Sequence, residues 1–148
     1  MEGIIKSAFV YSDDKAARGC GHTGFVFFYD NGVSERIYQS AANTGYAVWK
    51  LVLLKHKMVV VVDEFKKPKR IRQLIGKARY FKLRTAHAQE IRSRIDEYIR
   101  QNRPYSSLTN NCAHFMHFAL GAAPDVRSKA RIIPKRYFRL LRKLNGSD

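Results

Sequence analysis

Two strand-like segments flank a turn sequence, and this arrangement constrains the fold more than any other feature of the chain. Thr23–Tyr29 and Val33–Ser40 both contain β-branched and aromatic residues, and Asp30-Asn31-Gly32 lies between them. Asn-Gly favours a tight primed turn, because both residues tolerate the positive φ angles that such a turn requires. The sequence therefore predicts an antiparallel hairpin.

Strand patterns also occur outside this hairpin. Met58–Val62 is apolar and mostly β-branched, which favours a strand in the middle of a sheet. Strands and helices do not alternate regularly, so the predicted class is α+β, with a small antiparallel sheet packed against helices. The predicted strands are Gly3–Tyr11, Thr23–Tyr29, Val33–Ser40, Ala47–Leu54, Lys57–Phe65 and Arg79–Arg84.

Helical patterns dominate the second half of the chain. Thr85 can cap a helix that runs from Ala86 to about Asn102 and ends before Arg103-Pro104. Its apolar residues recur at helical spacing, and the predicted inward face consists of Ile91, Ile95, Tyr98 and Ile99. The other predicted helices are Lys66–Lys77, one that begins near Cys112 and ends near Leu120, and Pro134–Leu144.

Length and charge limit the domain organisation and the class of partner. The 148 residues predict a single domain, 1–148, with a basic helical tail from 127 to 148. A net charge of +16 implies an anionic partner: an acidic cell-wall polymer, a phospholipid membrane or, as a weaker alternative, nucleic acid. The N-terminus lacks the basic and apolar segments of a signal peptide, so we expect synthesis in the cytoplasm without a cleaved signal.

Cys112 lies where a polar capping sequence meets an apolar helical pattern. Thr109, Asn110 and Asn111 can each cap a helix, which places Cys112 in its first turn. The free backbone N–H groups and the helix dipole favour a thiolate there. A cysteine nucleophile needs an imidazole as its base, and His22 offers one at the start of a predicted strand. The alternative is a buried core cysteine without a chemical role.

A third polar residue would hold the imidazole in the correct tautomer. In a hairpin centred on Asn31-Gly32, His22 lies opposite about Ala41, and Gln39 shares its face two residues along. Gln39 is therefore the predicted third member of the site. A one-residue slip in register would exchange the two faces, so the alternatives are Ser40, Tyr38 and Asn43.

Other cysteines and histidines raise the question of a metal or a disulfide. On a helix, Cys112 and His114 point about 200° apart, and the spacings match no standard zinc motif. We therefore expect neither a metal nor a cofactor. A regulatory disulfide between Cys20 and Cys112 stays open, provided that their Cα atoms come within about 7 Å. The residues considered as metal ligands are Cys20, His22, Cys112, His114 and His117.

Two motifs carry a resemblance to a known superfamily. Gly21-His22-Thr23-Gly24 comes first, and Tyr105-x5-Asn111-Cys112-x2-Phe115 follows a helix later in the chain. This order resembles the circularly permuted branch of the NlpC-type papain-like superfamily, which includes lecithin retinol acyltransferase-like enzymes and small bacterial toxin domains. The resemblance covers roughly residues 22–120. Members more often carry His, Asp or Asn than Gln at the third position.

The resemblance implies a permuted papain-like fold, with Cys112 as the nucleophile at a helix N-terminus and His22 as the base. Ala113 stands where acyltransferase-like members carry Glu, so their specificity does not transfer. The expected function is that of a cysteine hydrolase that acts through an acyl-enzyme. Within this class, the leading interpretation is an amidase or endopeptidase that cleaves cell-wall peptides.

With no signal peptide, such an enzyme would be an antibacterial effector, which a specialised system secretes into a target-cell periplasm. The producing cell would then hold an acidic immunity protein. One alternative function is a phospholipid-acting thiol acyl hydrolase or acyltransferase at anionic membranes. The other is a non-enzymatic, basic nucleic-acid-binding protein.

Overall fold

The computed structural model describes residues 3–13, 22–41, 58–101, 115 and 118–120. These residues form a five-stranded antiparallel sheet with helices, so the predicted α+β class is confirmed. The strands are β1 (Ile5–Asp13), β2 (His22–Tyr29), β3 (Ser34–Ala41), β4 (Met58–Phe65) and β5 (Arg79–Lys82), and the helices are α1 (Ile71–Ile75) and α2 (Thr85–Gln101). None of the described helices is both long enough and apolar enough to span a bilayer.

The described strands lie in the order β4-β3-β2-β1-β5. The first four form an antiparallel meander, and β5 pairs with β1 on its free side. The prediction that the Met58–Val62 segment lies in the middle of the sheet is wrong for the described strands, because β4 is at one edge and Val62 is 39% exposed. The chain therefore crosses from one edge to the other between β4 and β5, and α1 lies on this connection.

The sheet has two faces, and each is covered by a different helix. On one face Val10, Phe25 and Ile37 form a core with the buried residues of α2, and we call it the α2 face. On the other face Tyr11 and Val26 pack with Leu74 of α1, and we call it the α1 face. The buried residues of α2 are Ala88, Ile91, Ile95 and Tyr98. Ile99 is 38% exposed, so its predicted inward position is wrong.

The β2–β3 hairpin is confirmed, but its turn differs from the predicted one. The Gly32 N–H donates to the Tyr29 carbonyl at 3.2 Å, and the Tyr29 N–H donates to the Val33 carbonyl at 2.9 Å. Asp30 and Asn31 are therefore the central residues of the turn, and Gly32 follows them with φ +82°. This is the three-residue hairpin connection, in which the four-residue turn Tyr29–Gly32 ends on a left-handed glycine.

The helix predicted over Lys66–Lys77 is shorter in the structure. Residues 66–70 are exposed and precede α1, which begins at Ile71. The Gln73 side chain accepts a hydrogen bond from the Arg70 N–H at 2.7 Å, and this contact fixes the start of α1. The predicted elements Ala47–Leu54 and Pro134–Leu144 lie outside the described residues. Residues 115, 118 and 119 are helical, within the helix predicted to begin near Cys112.

A buried polar cluster joins the sheet to α2. The Tyr29 hydroxyl donates to Glu35, which is 5% exposed, and Arg92 of α2 donates to both carboxylate oxygens of Glu35 at 3.1 and 3.2 Å. Two effects raise the pKa of Tyr29: burial is the larger, and the hydrogen bond to Glu35 is the second. Burial opposes the charge of Arg92 and by itself lowers its pKa. The hydrogen bonds and charges of Glu35 and Asp96 together outweigh burial and raise the pKa of Arg92.

The raised pKa of Tyr29 predicts a loss of stability at alkaline pH. Above about pH 10, where an unperturbed tyrosine ionises, the unfolded chain releases this proton while the folded protein keeps it. The free energy of unfolding should then fall by up to about 1.4 kcal/mol per pH unit. Tyr29→Phe should remove this part of the slope in urea denaturation series at increasing pH. An unchanged slope in Tyr29→Phe would contradict the prediction.

Candidate functional site

His22 begins β2, at the end of the sheet away from the hairpin turn. Its backbone pairs with Asp13 of β1, so positions 13 and 22 share the α1 face with Tyr11 and Gly24. A Cβ atom on Gly24 would lie 2.6 Å from the Ile37 carbonyl oxygen and 2.7 Å from the Tyr11 hydroxyl. The glycine two residues after His22 therefore permits the close approach of the Tyr11 ring and of β3.

The register between β2 and β3 decides which residue shares the face of position 22. Gly24 pairs with Tyr38, so Tyr38 also belongs to the α1 face. Extending this ladder by two residues places Ser40 opposite His22. Gln39 lies between these two positions and therefore belongs to the α2 face.

The predicted placement of Gln39 on the same face as His22 depends on a β2–β3 register that is wrong by one residue. The prediction centred the hairpin between Asn31 and Gly32, whereas the observed ladder is centred on Asn31. A slip of one residue exchanges the faces along the whole strand. The backbone therefore favours two of the alternatives over Gln39. Tyr38 and Ser40 share the face of position 22, and Asn43 lies outside the described residues.

A cleft of about 410 Å³ opens on the α1 face at this end of the sheet. Tyr11, Asp13 and Tyr38 line it from the strands, and residues 73–76 and 78 line it from α1 and the turn that follows. Asp13 is the ladder partner of His22, so the cleft adjoins the position where the predicted base begins β2. A substrate bound in the cleft would lie beside that position.

Arg36 fixes the wall of the cleft. Its guanidinium donates to Asp63 Oδ2 at 2.6 and 3.1 Å, and to the Leu74 carbonyl at 2.6 Å. These bonds tie β3 to both β4 and α1, and Asp63 balances the charge of the guanidinium. The wall is thus held from three elements, which suits a site that must keep its shape when it binds a ligand.

Cys112 lies outside the described residues, and Phe115 is the described residue nearest to it in sequence. Phe115 is fully buried, and its ring centroid lies 5.8 Å from that of Phe25 and 4.9 Å from that of Tyr98. Phe25 follows His22 by three residues, about 10 Å along β2. The Phe25–Phe115 contact therefore places residue 115, which follows Cys112 by three positions in the sequence, against the strand that begins at His22.

Position 22 and Phe115 lie on different faces of β2. Position 22 belongs to the α1 face, whereas Phe115 packs in the core of the α2 face.

A row of polar residues crosses the α2 face at this same end. Ser12 pairs with Thr23 on one side and with Arg79 on the other, and position 39 continues the row. Ser12 and Thr23 are fully buried, and Thr23 Oγ1 has no hydrogen-bond partner within the described part of the chain. No local pattern in the sequence indicates this row, because it depends on which residues of β1 lie opposite those of β2.

Removing the buried hydroxyl of Thr23 should not destabilise the protein. A buried hydroxyl without a partner costs free energy, so the nearly isosteric Thr23→Val should leave the free energy of unfolding unchanged or raise it by about 1 kcal/mol. Thr23→Ala is the control, because it also removes the methyl group and should destabilise the fold. Urea denaturation measures both. A clear loss of stability in Thr23→Val would show that residues outside the described ranges bond this hydroxyl.

Among the described residues, no three His, Cys, Asp or Glu side chains lie close enough together to hold a metal ion. Cys20, Cys112, His114 and His117 lie outside those ranges, so the question of a regulatory Cys20–Cys112 disulfide stays open. Comparisons with protein-family models, with curated proteins and with solved structures found no match to this chain. The resemblance to permuted papain-like enzymes therefore rests on the two sequence motifs.

Proposed function

We propose that this chain is a cysteine hydrolase of permuted papain-like fold, with Cys112 as the nucleophile and His22 as the base. The Phe25–Phe115 contact carries the proposal, because it joins the segments that hold these two residues. The cleft beside position 22 supplies a place for the substrate. Cys112 would lie at the N-terminus of the helix that contains Phe115, at the end of the sheet.

The proposed reaction proceeds through an acyl-enzyme. His22 takes the proton of the Cys112 thiol, and the thiolate attacks the carbonyl carbon of the substrate. The Cys112 backbone N–H donates to the oxyanion that forms. His22 then gives the proton to the leaving group as the bond to the carbonyl carbon breaks. Water, with its proton taken by His22, hydrolyses the thioester and releases the acid and the free thiol.

Asp13 is the residue that best fits the role of orienting His22. It is paired with His22 in the ladder, and directly paired residues have Cα atoms about 4.5 to 5.5 Å apart. A carboxylate holds the tautomer of a histidine and stabilises its protonated form. The sequence does not indicate Asp13 for this role, because the Asn31-Gly32 turn pattern predicts only the pairing of β2 with the strand that follows it. Tyr38 and Ser40 are the alternatives on the same face.

The proposed substrate is the peptide part of a bacterial cell wall. Support comes from the resemblance to the permuted superfamily and from the net charge of +16, which would hold the enzyme on an anionic wall. As a secreted antibacterial effector, the enzyme would require neutralisation in the producing cell, and an acidic immunity protein suits its charge. Phospholipid deacylation with the same residues is a second candidate, because residues 66–77 expose a dense set of cations.

Purified substrates distinguish these functions. Wild type and Cys112→Ala are incubated with purified sacculi and, separately, with vesicles that contain anionic phospholipid. Release of soluble peptide fragments by the wild type alone would support the cell-wall amidase, and release of fatty acid by the wild type alone would support the lipid hydrolase. Equal results for wild type and Cys112→Ala on both substrates would overturn the proposed chemistry.

A further inference from the structure

A cationic strip lies on the connection between β4 and β5. Residues 66–77 contain six Lys or Arg residues and no Asp or Glu, and all six cations are exposed. Arg72 has an internal role, because it donates to the Gly76 and Ala78 carbonyls at 2.9 and 2.8 Å and lies over the Tyr80 ring. The other five cations form no ion pair within the described part of the chain: Lys66, Lys67, Lys69, Arg70 and Lys77.

The strip extends along the α1 face from the hairpin turn to the cleft. At its start, Phe65 pairs with Ser34, and Pro68 lies 3.6 Å from the place where a Cβ on Gly32 would be. At its end, Gly76 and the turn after it line the cleft. A surface that attracts the strip would therefore also lie against the face onto which the cleft opens.

The chemistry of the strip favours an anionic lipid surface over nucleic acid. Four of its five available cations are lysines, which act as point charges and lack the planar fork that reads bases. α1 has five residues, too few for a recognition helix, and the nearby Tyr80 ring is covered by Arg72. Ile71 and Ile75 lie among the cations and are half-buried, because they pack against the core of the α1 face with Leu74.

We infer that the cationic strip docks this protein onto anionic phospholipid bilayers, with the cleft facing the membrane. This inference favours the phospholipid membrane, which is the partner in the second candidate function, over the cell wall as the target of the strip. It does not need the chemistry of Cys112. Each cation near an anionic membrane surface strengthens binding about fivefold. Five cations on one side of a small domain are enough for measurable, reversible and salt-sensitive attachment, because dense basic clusters of this size bind acidic lipids.

Vesicle co-sedimentation at low ionic strength tests the inference, with Cys112→Ala in every protein so that hydrolysis plays no part. We expect binding to phosphatidylcholine vesicles that contain one third phosphatidylglycerol, and little binding to phosphatidylcholine alone. The triple variant Lys66→Gln, Lys67→Gln, Lys69→Gln should weaken binding about a hundredfold. The control Arg84→Gln, Arg94→Gln, Arg100→Gln removes the same charge in or next to α2, and should weaken it less than about fivefold.

Three results would overturn the inference. One is equal binding to vesicles with and without phosphatidylglycerol. Another is an equal loss in the two triple variants, which would mean that net charge acts without a defined surface. The third is binding of duplex or single-stranded oligonucleotide that depends on the strip, together with vesicle binding that does not. Because all the proteins lack Cys112, none of these results bears on whether the chain is a hydrolase.

Discussion

Replacing His22 with Ala should abolish the rapid alkylation of Cys112 by iodoacetamide at about pH 6, and should lower hydrolysis by at least about a thousandfold. In the proposed site the imidazole takes the thiol proton. The thiolate is therefore populated at pH values well below those at which a free cysteine ionises. Without His22, alkylation should follow the profile of an ordinary thiol. The measurement is the alkylation rate against pH, with Cys20→Ser in all proteins so that one thiol reacts.

Two further variants in the same assay separate the candidates for the orienting residue. Asp13→Asn should shift the alkylation profile toward that of His22→Ala, because the ladder places Asp13 beside His22. Gln39→Ala should leave the profile as in the Cys20→Ser parent, because Gln39 belongs to the opposite face. A changed profile in Gln39→Ala, together with an unchanged profile in Asp13→Asn, would contradict this assignment. It would show that β2 departs from the regular pleat at its first residue. An ordinary thiol profile in the parent itself would contradict the hydrolase proposal and leave nucleic-acid binding as the alternative.

The strands were predictable because their composition and their periodicity agree. The bounds of β2 and β4 agree within one residue with the predicted strands Thr23–Tyr29 and Lys57–Phe65. The bounds of α2 agree equally well with the predicted helix from Ala86 to about Asn102. In each of these segments local preference and core burial favour the same conformation. The position of β4 in the sheet was not predictable, since β-branched residues stabilise edge and central strands alike.

The turn shows why the candidate site was harder to predict than the fold. Asn-Gly fits both a two-residue primed turn and a longer turn followed by a left-handed glycine, and the two differ by one residue in register. That difference leaves the hairpin prediction intact but moves Gln39 away from the face of His22. The identity of the facing residue depends on the turn geometry, and the sequence does not determine that geometry.

Long-range polar contacts were also beyond the sequence. Glu35 appears in a short strand among polar residues, where a solvent-exposed position is the usual outcome. It is buried because Arg92, 57 residues later, meets it with two hydrogen bonds. The pairing depends on how α2 crosses the sheet, and no local pattern in either segment encodes that crossing.

Glu35→Ala should lower the free energy of unfolding by about 3 kcal/mol, because Arg92 loses its buried acidic partner and keeps only the exposed Asp96. The side chains of Glu35 and Arg92 are 6% and 16% exposed, so water cannot replace the missing carboxylate well. The Tyr29 hydroxyl loses its acceptor in the same variant. The measurement is urea denaturation near neutral pH, with circular dichroism as the signal that reports unfolding.

Asp96→Ala is the matched control, because it removes the other acidic partner of the same guanidinium. Arg92 donates to Asp96 at 2.7 Å, but the Asp96 side chain is 53% exposed, and exposed pairs contribute less than about 1 kcal/mol. A double variant, Glu35→Leu with Arg92→Met, should recover most of the loss, since a buried ion pair can be replaced by apolar side chains of similar volume. Equal losses in Glu35→Ala and Asp96→Ala would mean that burial does not govern the strength of this cluster. A double variant no more stable than Glu35→Ala would mean that the two charges are required to hold α2 on the sheet.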